Sequence, residues 1–293
     1  MIALTSEQDK KQLRKHALKL IEQDEFEGLI ILIDVLKETD FEFKNDLGDF
    51  FLDCFLKQAA TKGHLEIVKY LVSQGANVTD YTDQFALAFA ASKGHLDIVK
   101  YLAEQGSNIH ANTEQPLRYA VFEGHLEVVK YLVENGADIH IRQNDLLHCA
   151  AEKGYVEIVR YLLEKGSDIH SGEEYALKWA VKNGHMDVVK CLVEHGADIN
   201  NPEACAVGYA ASTGNMDMLQ YLASQGANIR IKEDEALRLA AEEGHLEVVK
   251  YLVEQGADVK AVNRSALKWA ARRKQTAVLN YLKEVLKNDL AHQ

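Results

Sequence analysis

A repeating alternation of apolar and polar positions predicts short helices that come in pairs. In GHLEVVKYLVEQG, which starts at Gly244, the apolar positions have the spacing of one helix face: Leu246, Val248, Val249, Leu252 and Val253. Gly256 then ends this helix as a C-terminal cap. The preceding EALRLAAEE predicts a shorter helix whose alanines permit close packing. Neither helix buries its apolar face alone, so stacking of successive pairs is expected to supply the core.

The two-helix segment recurs seven times. Its first glycine lies at Gly63, Gly94, Gly124, Gly154, Gly184, Gly214 and Gly244. The period is therefore 31 residues once and 30 residues five times, and the next step reaches Lys274, where the motif decays. A fixed period of this length indicates a solenoid, in which each unit packs on its neighbours.

These units resemble the ankyrin repeat. The resemblance rests on a Leu-x-x-Ala-Ala helix, a Gly-His turn, a Val-Val-x-x-Leu helix and a Gly-Ala-Asp ending. Ankyrin repeats usually have about 33 residues, and the missing three fall where the family carries a β-hairpin. We therefore predict no paired strands at residues 109–114 and their equivalents. The resemblance implies an all-α, ankyrin-type α-solenoid. The short period predicts short loops with reduced or absent β-hairpins, and counting both ends of the chain gives about nine stacked helix pairs.

The 30-residue style is also similar to that of ankyrin-repeat proteins encoded by giant viruses, with ALKWA before NGH and repeated VVKYLV.

Both ends depart from the regular unit. Residues 12–37 predict a degenerate helix pair, followed by an extended connection or an elongated helix ahead of FLKQAATKG. The last pair, from SALKWAARRK onward, has no closing glycine. We divide the chain into an N-terminal cap (1–57), regular repeats (58–259) and a basic C-terminal cap (260–293).

Charge is distributed unevenly along an acidic chain. The net charge of -12 argues against nucleic acid as a partner. Residues 20–57 carry eleven acidic and three basic residues, whereas residues 260–293 carry eight basic and two acidic ones. The basic group includes Arg272, Arg273 and Lys274, at and just before the position of the turn glycine in other repeats. These ends are either polar caps that keep the stack soluble, or surfaces for head-to-tail contact or an acidic partner.

The cysteines and the N-terminus bear on the compartment. Cys54, Cys149, Cys191 and Cys205 share no CxxC spacing, which favours free thiols in a reducing compartment. The N-terminus lacks the features of a signal peptide, and no apolar run reaches the length of a membrane span. We expect a cytoplasmic protein, in the host cytoplasm if it is viral, without a membrane partner.

The sequence predicts no catalytic, cofactor or metal site. The ankyrin resemblance implies that the histidine after each turn glycine bonds backbone of the neighbouring repeat. His110, His140 and His170 hold equivalent positions about 10 Å apart, too far to share one zinc ion. No phosphate loop, nucleophile elbow or HExxH motif occurs. The acidic pairs Glu173–Glu174 and Glu242–Glu243 are expected to face solvent.

Two periodic features of the first helices have competing interpretations. The aromatic column of Phe89, Tyr119, Trp179, Tyr209 and Trp269 indicates either packing between repeats or a base-stacking platform. We favour packing. Acids lie four residues before basic residues and predict helix-stabilising pairs: Glu114–Arg118, Glu174–Lys178 and Asp234–Arg238.

We expect the chain to be a monomeric, non-catalytic module that binds a partner protein through its concave face. The alternative is a scaffold that self-assembles through its charged ends. Candidate contact residues are large and apolar where other repeats are polar: Tyr81, Phe85, Phe122 and Tyr175. Unconstrained drift of the surface would also explain them. CLVEHGADIN, which ends at Asn200, resembles the ankyrin pattern recognised by asparaginyl hydroxylases, although a plain turn asparagine is the simpler interpretation.

Overall fold

The computed structural model describes residues 7–38, 51–79, 86–141 and 145–291. Within these ranges eighteen helices follow one another in nine pairs, and no strand occurs. The predicted all-α fold of stacked helix pairs is confirmed. The absence of β-hairpins is likewise confirmed for this part of the chain.

The helices fall into two compact units. Met1–Ile141 contains four pairs: α1 (Glu7–Glu22) and α2 (Phe26–Glu38), α3 (Phe51–Lys62) and α4 (Leu65–Ser73), α5 (Ala86–Ser92) and α6 (Leu96–Glu104), α7 (Ala111–Glu123) and α8 (Leu126–Glu134). Arg142–Gln293 contains five pairs: α9 (Asp145–Lys153) and α10 (Val156–Glu164), α11 (Ser171–Lys182) and α12 (Met186–Glu194), α13 (Ala206–Ser212) and α14 (Met216–Ser224), α15 (Ile231–Glu243) and α16 (Leu246–Glu254), α17 (Ala261–Arg272) and α18 (Thr276–Ala291).

Within each unit, every first helix packs on the next first helix. The contacts run α1–α3–α5–α7 in one unit and α9–α11–α13–α15–α17 in the other. Alanine pairs such as Ala240 and Ala241 are fully buried, so their small side chains permit this approach. The second helices contribute the larger apolar side chains, among them the buried Val248, Val249 and Leu252 of α16.

The Gly-Ala-Asp ending closes each second helix with its own hydrogen bonds. After α16, Gly256 has φ 91°, which a residue with a side chain adopts at a cost. Its amide donates to Val253, and the amide of the buried Ala257 donates to Leu252. Asp258 then accepts from the amide of Lys260 at 2.8 Å. In this repeat the tripeptide therefore both caps the helix and forms the turn that follows it.

Four of the histidines that follow a turn glycine join successive repeats, as the ankyrin resemblance implies. The ring Nε2 lies within hydrogen-bond distance of a backbone carbonyl oxygen in the preceding repeat, at 3.2, 3.0, 2.8 and 2.9 Å for His95–Thr61, His125–Ser92, His185–Glu152 and His245–Ser212. A Cβ on Gly214 would lie 2.6 Å from Nδ1 of His245. Glycine is therefore required there by the neighbouring ring as well as by its φ of 70°.

The ends contain the expected helix pairs. Helices α1 and α2 form the degenerate first pair, and α17 and α18 form the last. Helix α3 runs across residue 57, so the boundary that we placed there falls inside a helix. The predicted connection at residues 39–50 lies outside the described residues. Lys274 occupies the turn-glycine position with φ 61°.

Candidate functional site

Two of the four predicted aromatic contact residues are exposed on first helices. Phe122, near the end of α7, has 50% of its surface exposed, and Tyr175 of α11 has 39%. Tyr81 and Phe85 lie outside the described residues. Large apolar side chains at this level of exposure are preferred anchors for a partner protein.

Tyr175 belongs to a row of rings on the first helices of the C-terminal unit. Its ring centroid lies 4.9 Å from that of His148 on α9 and 5.7 Å from that of Trp179 on α11, with interplanar angles of 46° and 53°. Tyr209 on α13 extends the row towards the next pair. Burial lowers the pKa of His148, so its ring is neutral at pH 7 and stacks as an aromatic group.

Two lysines lie over these rings. The Nζ of Lys182 is 4.2 Å from the centroid of Trp179 and 5.8 Å from that of Tyr209. The Nζ of Lys178, one turn earlier on α11, is also 5.8 Å from the Tyr209 ring. Both ammonium groups are therefore held by cation–π contacts. We call Tyr175, Lys178, Trp179, Lys182 and Tyr209 the aromatic–lysine patch.

Elsewhere the aromatic column packs between repeats, as we favoured. In the N-terminal unit, Phe89 of α5 and Tyr119 of α7 meet edge to face with centroids 6.4 Å apart. Lys57 covers Phe89 at 4.3 Å. This contact joins neighbouring first helices and supports the packing interpretation over a base-stacking platform for this pair.

The three basic residues predicted as a C-terminal contact surface differ in their contacts. The guanidinium carbon of Arg272 lies 4.9 Å from the Trp269 ring centroid. Arg273 donates to Glu242 from Nη2 at 2.7 Å and from Nε at 3.1 Å, and this carboxylate raises the pKa of Arg273. Lys274 is exposed at the turn. Two of these three cations are therefore already engaged within the chain.

Asn200 links two successive turns. Its side-chain oxygen accepts from the amide of Asn228 at 2.7 Å, and its side-chain nitrogen donates to the carbonyl oxygen of Gly226 at 3.3 Å. Its own amide donates to Asp198 at 2.9 Å. These bonds give Asn200 a structural role between repeats, while its hydroxylation stays a prediction.

Three acidic side chains in left-handed segments near the starts of α7, α11 and α15 are buried. Glu114, Glu174 and Asp234 have 6%, 1% and 3% of their surface exposed. Each lies within hydrogen-bond distance of the residue four positions earlier: His110 Nδ1 at 2.7 Å, His170 Nδ1 at 2.5 Å and Arg230 Nε at 3.2 Å, respectively. The solvent exposure that we predicted for Glu174 is therefore wrong. Glu242 is also largely covered, because its side chain is 12% exposed beneath Arg273.

The predicted pairing of these acids with Arg118, Lys178 and Arg238 is also wrong. The i,i+4 rule requires one continuous right-handed helix, but each acid ends a left-handed turn, with φ between 50° and 64° at residues 112–114, 172–174 and 232–234. Arg238 instead pairs with Glu235 at 2.8 Å and Glu242 at 3.6 Å. The left-handed conformation costs about 1–2 kcal/mol per non-glycine residue. The short bond to each carboxylate is one contact that holds the turn.

Two thiols of the C-terminal unit, those of Cys191 and Cys205, have little nucleophilic character. Burial, and then the carboxylate of Glu235, raise the pKa of Cys205 to about 11. Burial also raises the pKa of Cys191. Because the thiolate is the nucleophile, neither side chain is activated at neutral pH.

Comparison with known protein families identifies the repeat. A family described as ankyrin repeats, in three copies, matches residues 56–143, 110–173, 147–233 and 207–290. The chain belongs to the ankyrin-repeat family. No curated protein matches it. Ankyrin repeats are in general protein–protein interaction modules and are typically non-catalytic, so the exposed aromatic residues of the first helices are the natural candidates for contact.

Two further kinds of site were considered for the described residues. Within the described ranges, no group of three or more His, Cys, Asp or Glu side chains is placed to hold a metal ion. No described helix combines the length and apolar character needed to cross a membrane.

Proposed function

We propose that this ankyrin-repeat chain is a non-catalytic module that binds a partner protein through the exposed face of its first helices, the face that the family resemblance assigns to the concave side. The observation that carries the proposal is the exposure of Phe122 and Tyr175 on α7 and α11. Exposed aromatic side chains lose little conformational entropy on binding and bury a large area.

The contrast between the two helices of a repeat supports this assignment. The buried apolar positions of the second helices stay nearly constant, because they form the core within each unit. The first helices keep their alanines but vary at exposed positions such as 122, 152 and 182. Variation that packing does not restrict is available for recognition.

Affinity capture from the native cell, followed by mass spectrometry, would identify the partner. Binding of the purified partner would then be measured for Phe122→Ser and Tyr175→Ser. We expect at least one variant to weaken binding about tenfold or more, as anchor residues do. Ile31→Ser is the matched control, because Ile31 is 65% exposed but lies on a second helix, α2. Unchanged binding by both variants, with the fold intact by circular dichroism, would overturn the proposal.

We do not favour self-assembly through charged ends, because Arg272 and Arg273 already have partners within the chain. A monomeric state, a cytoplasmic location and the similarity to giant-virus proteins stay predictions. Sedimentation at low salt and at several tenths molar salt tests whether the chain is monomeric, since charge-driven association would weaken as salt increases.

A further inference from the structure

The lysines of the aromatic–lysine patch contact aromatic rings, whereas several other cations of the C-terminal unit pair with carboxylates. Arg238, Lys250 and Arg273 each lie within 4.0 Å of a glutamate oxygen. Lys178 and Lys182 have only the rings of Trp179 and Tyr209 as partners among the described residues. In a chain with a net charge of -12, these two lysines place a local positive charge beside exposed aromatic surface.

The positions of these lysines are restricted by the helix that carries them. Lys182 lies four positions after Lys178, so both side chains project from the same face of α11. The rings beneath them limit the directions that the long side chains can take, which reduces the entropy lost when a ligand fixes them. Their ammonium hydrogens remain available, because a ring face occupies only one side of each charge.

The acids around the patch define its limits. Asp145 and Glu152 of α9 are exposed on one side, but neither is paired with these lysines. On the other side, Glu235 and Glu242 are engaged by Arg238 and Arg273. The two lysines are therefore the uncompensated positive charges between two acidic borders. A ligand carboxylate gains most Coulomb attraction when it lies close to the two ammonium groups, because salt screens the interaction beyond about 8 Å.

The apolar part of the patch adjoins the charged part. Tyr175 is exposed one turn before Trp179, and His148 stacks on its other side. In addition, the indole Nε1 of Trp179 is buried and has no hydrogen-bond acceptor within the described chain. A ligand with an aromatic side chain next to carboxylates would match this order of ring and cation.

We propose that the aromatic–lysine patch binds a short acidic segment of a partner protein, with an aromatic side chain against Tyr175 and carboxylates on Lys178 and Lys182. This inference rests on the proposed function and specifies the chemistry of the partner. A single-stranded nucleic acid presents similar groups. The acidity of the chain favours the peptide, since nucleic-acid binding requires many more phosphate contacts than two lysines provide.

The first experiment uses the full chain with Trp269→Phe, which leaves Trp179 as its one tryptophan. The probe is an acetylated Glu-Glu-Phe-Glu-Glu peptide, and the readout is Trp179 fluorescence. We expect a saturable change that weakens as salt increases. Replacement of Lys178 or Lys182 by Gln should weaken binding about fivefold, and replacement of both should abolish saturation. Lys250→Gln, on the second helix α16, should change nothing.

Three outcomes would overturn the inference. They are equal binding of Gln-Gln-Phe-Gln-Gln or Lys-Lys-Phe-Lys-Lys peptides, tighter binding of a ten-nucleotide oligothymidylate, and unchanged peptide binding by the double lysine variant. The captured partner separates this inference from the proposed function. If Tyr175→Ser abolishes its binding and the double lysine variant binds normally, the acidic segment is wrong and the proposed function stands. If neither change affects partner binding and Phe122→Ser is also without effect, both are wrong.

Discussion

The α7–α8 and α15–α16 repeats have second helices of identical sequence and first helices that differ. Both α8 and α16 read LEVVKYLVE. Each buries two valines and a leucine, and each pairs its lysine with the glutamate three residues earlier, at 2.9 and 2.8 Å. Identical sequence in two separate units shows that stacking within a unit is enough to specify the second helix.

The first helices of these repeats carry different side chains at equivalent positions. On α7, Gln115 donates to the hydroxyl of Tyr119 at 2.8 Å, and Phe122 is exposed. On α15, Arg238 links Glu235 and Glu242, the acid that replaces Phe122 one hundred and twenty residues later. A constant second helix thus supports a first helix whose exposed positions are free to diverge.

The largest expected effect tests whether the two identical helices are energetically equivalent. Leu132 and Leu252 are both fully buried. We expect Leu132→Ala and Leu252→Ala each to lower the free energy of unfolding by about 2–5 kcal/mol, through lost transfer energy and a residual cavity. Urea unfolding followed by far-ultraviolet circular dichroism measures both. A loss confined to one of the two variants would contradict the equivalence.

A smaller effect is expected from the histidines that precede these helices. His125→Ala and His245→Ala each remove one ring–carbonyl hydrogen bond, to Ser92 and to Ser212, and should cost about 1 kcal/mol. At the next turn a glutamine occupies the position of the histidine and makes the equivalent bond: the side-chain nitrogen of Gln275 donates to the carbonyl oxygen of Glu242 at 3.2 Å. His245→Gln should therefore retain most of the stability that His245→Ala loses. Equal losses for both would show that the ring packing, rather than the bond, matters.

The smallest effect concerns the ion pairs at the starts of the first helices, such as His170–Glu174. The Glu174 carboxylate raises the pKa of His170 above its ordinary value. The pair therefore stabilises the fold fully below about pH 6.5, and this contribution is lost as pH increases through the raised pKa. It should be a few tenths of a kcal/mol, because His170 is 60% exposed and solvent screens the pair.

Titration of the His170 ring by NMR, in the chain and in Glu174→Gln, checks the cause. The pKa of His170 should decrease in the variant. The Arg230–Asp234 pair is a natural reference, because arginine does not titrate in this range. An unchanged His170 pKa in Glu174→Gln would show that Asp168 and Asp198, which also raise it, account for the shift.

The repeated features of the fold could be predicted from the sequence, whereas the partners of the buried acids could not. The helix pairs and the turn glycines could be predicted because the same apolar spacing and the same glycine recur from Gly63 to Gly244. The histidine contacts were predicted from the ankyrin resemblance. The buried acids Glu174 and Asp234 were misassigned because i,i+4 spacing assumes right-handed helical backbone, whereas residues 172–174 and 232–234 are left-handed. Their true partners, His170 and Arg230, are four residues away in the opposite direction. Likewise, no spacing rule places Lys182 over a ring rather than beside an acid.

The ring of each linking histidine always reaches back to the repeat before it. The two bonded residues are 33 or 34 positions apart, so each such period supplies one histidine to the repeat before it and one acceptor carbonyl to the repeat after it. An in-frame duplication or deletion of one period in the gene would restore the same junction on both sides. Such a chain can lengthen or shorten by copying, and each new copy is then free to acquire its own exposed residues.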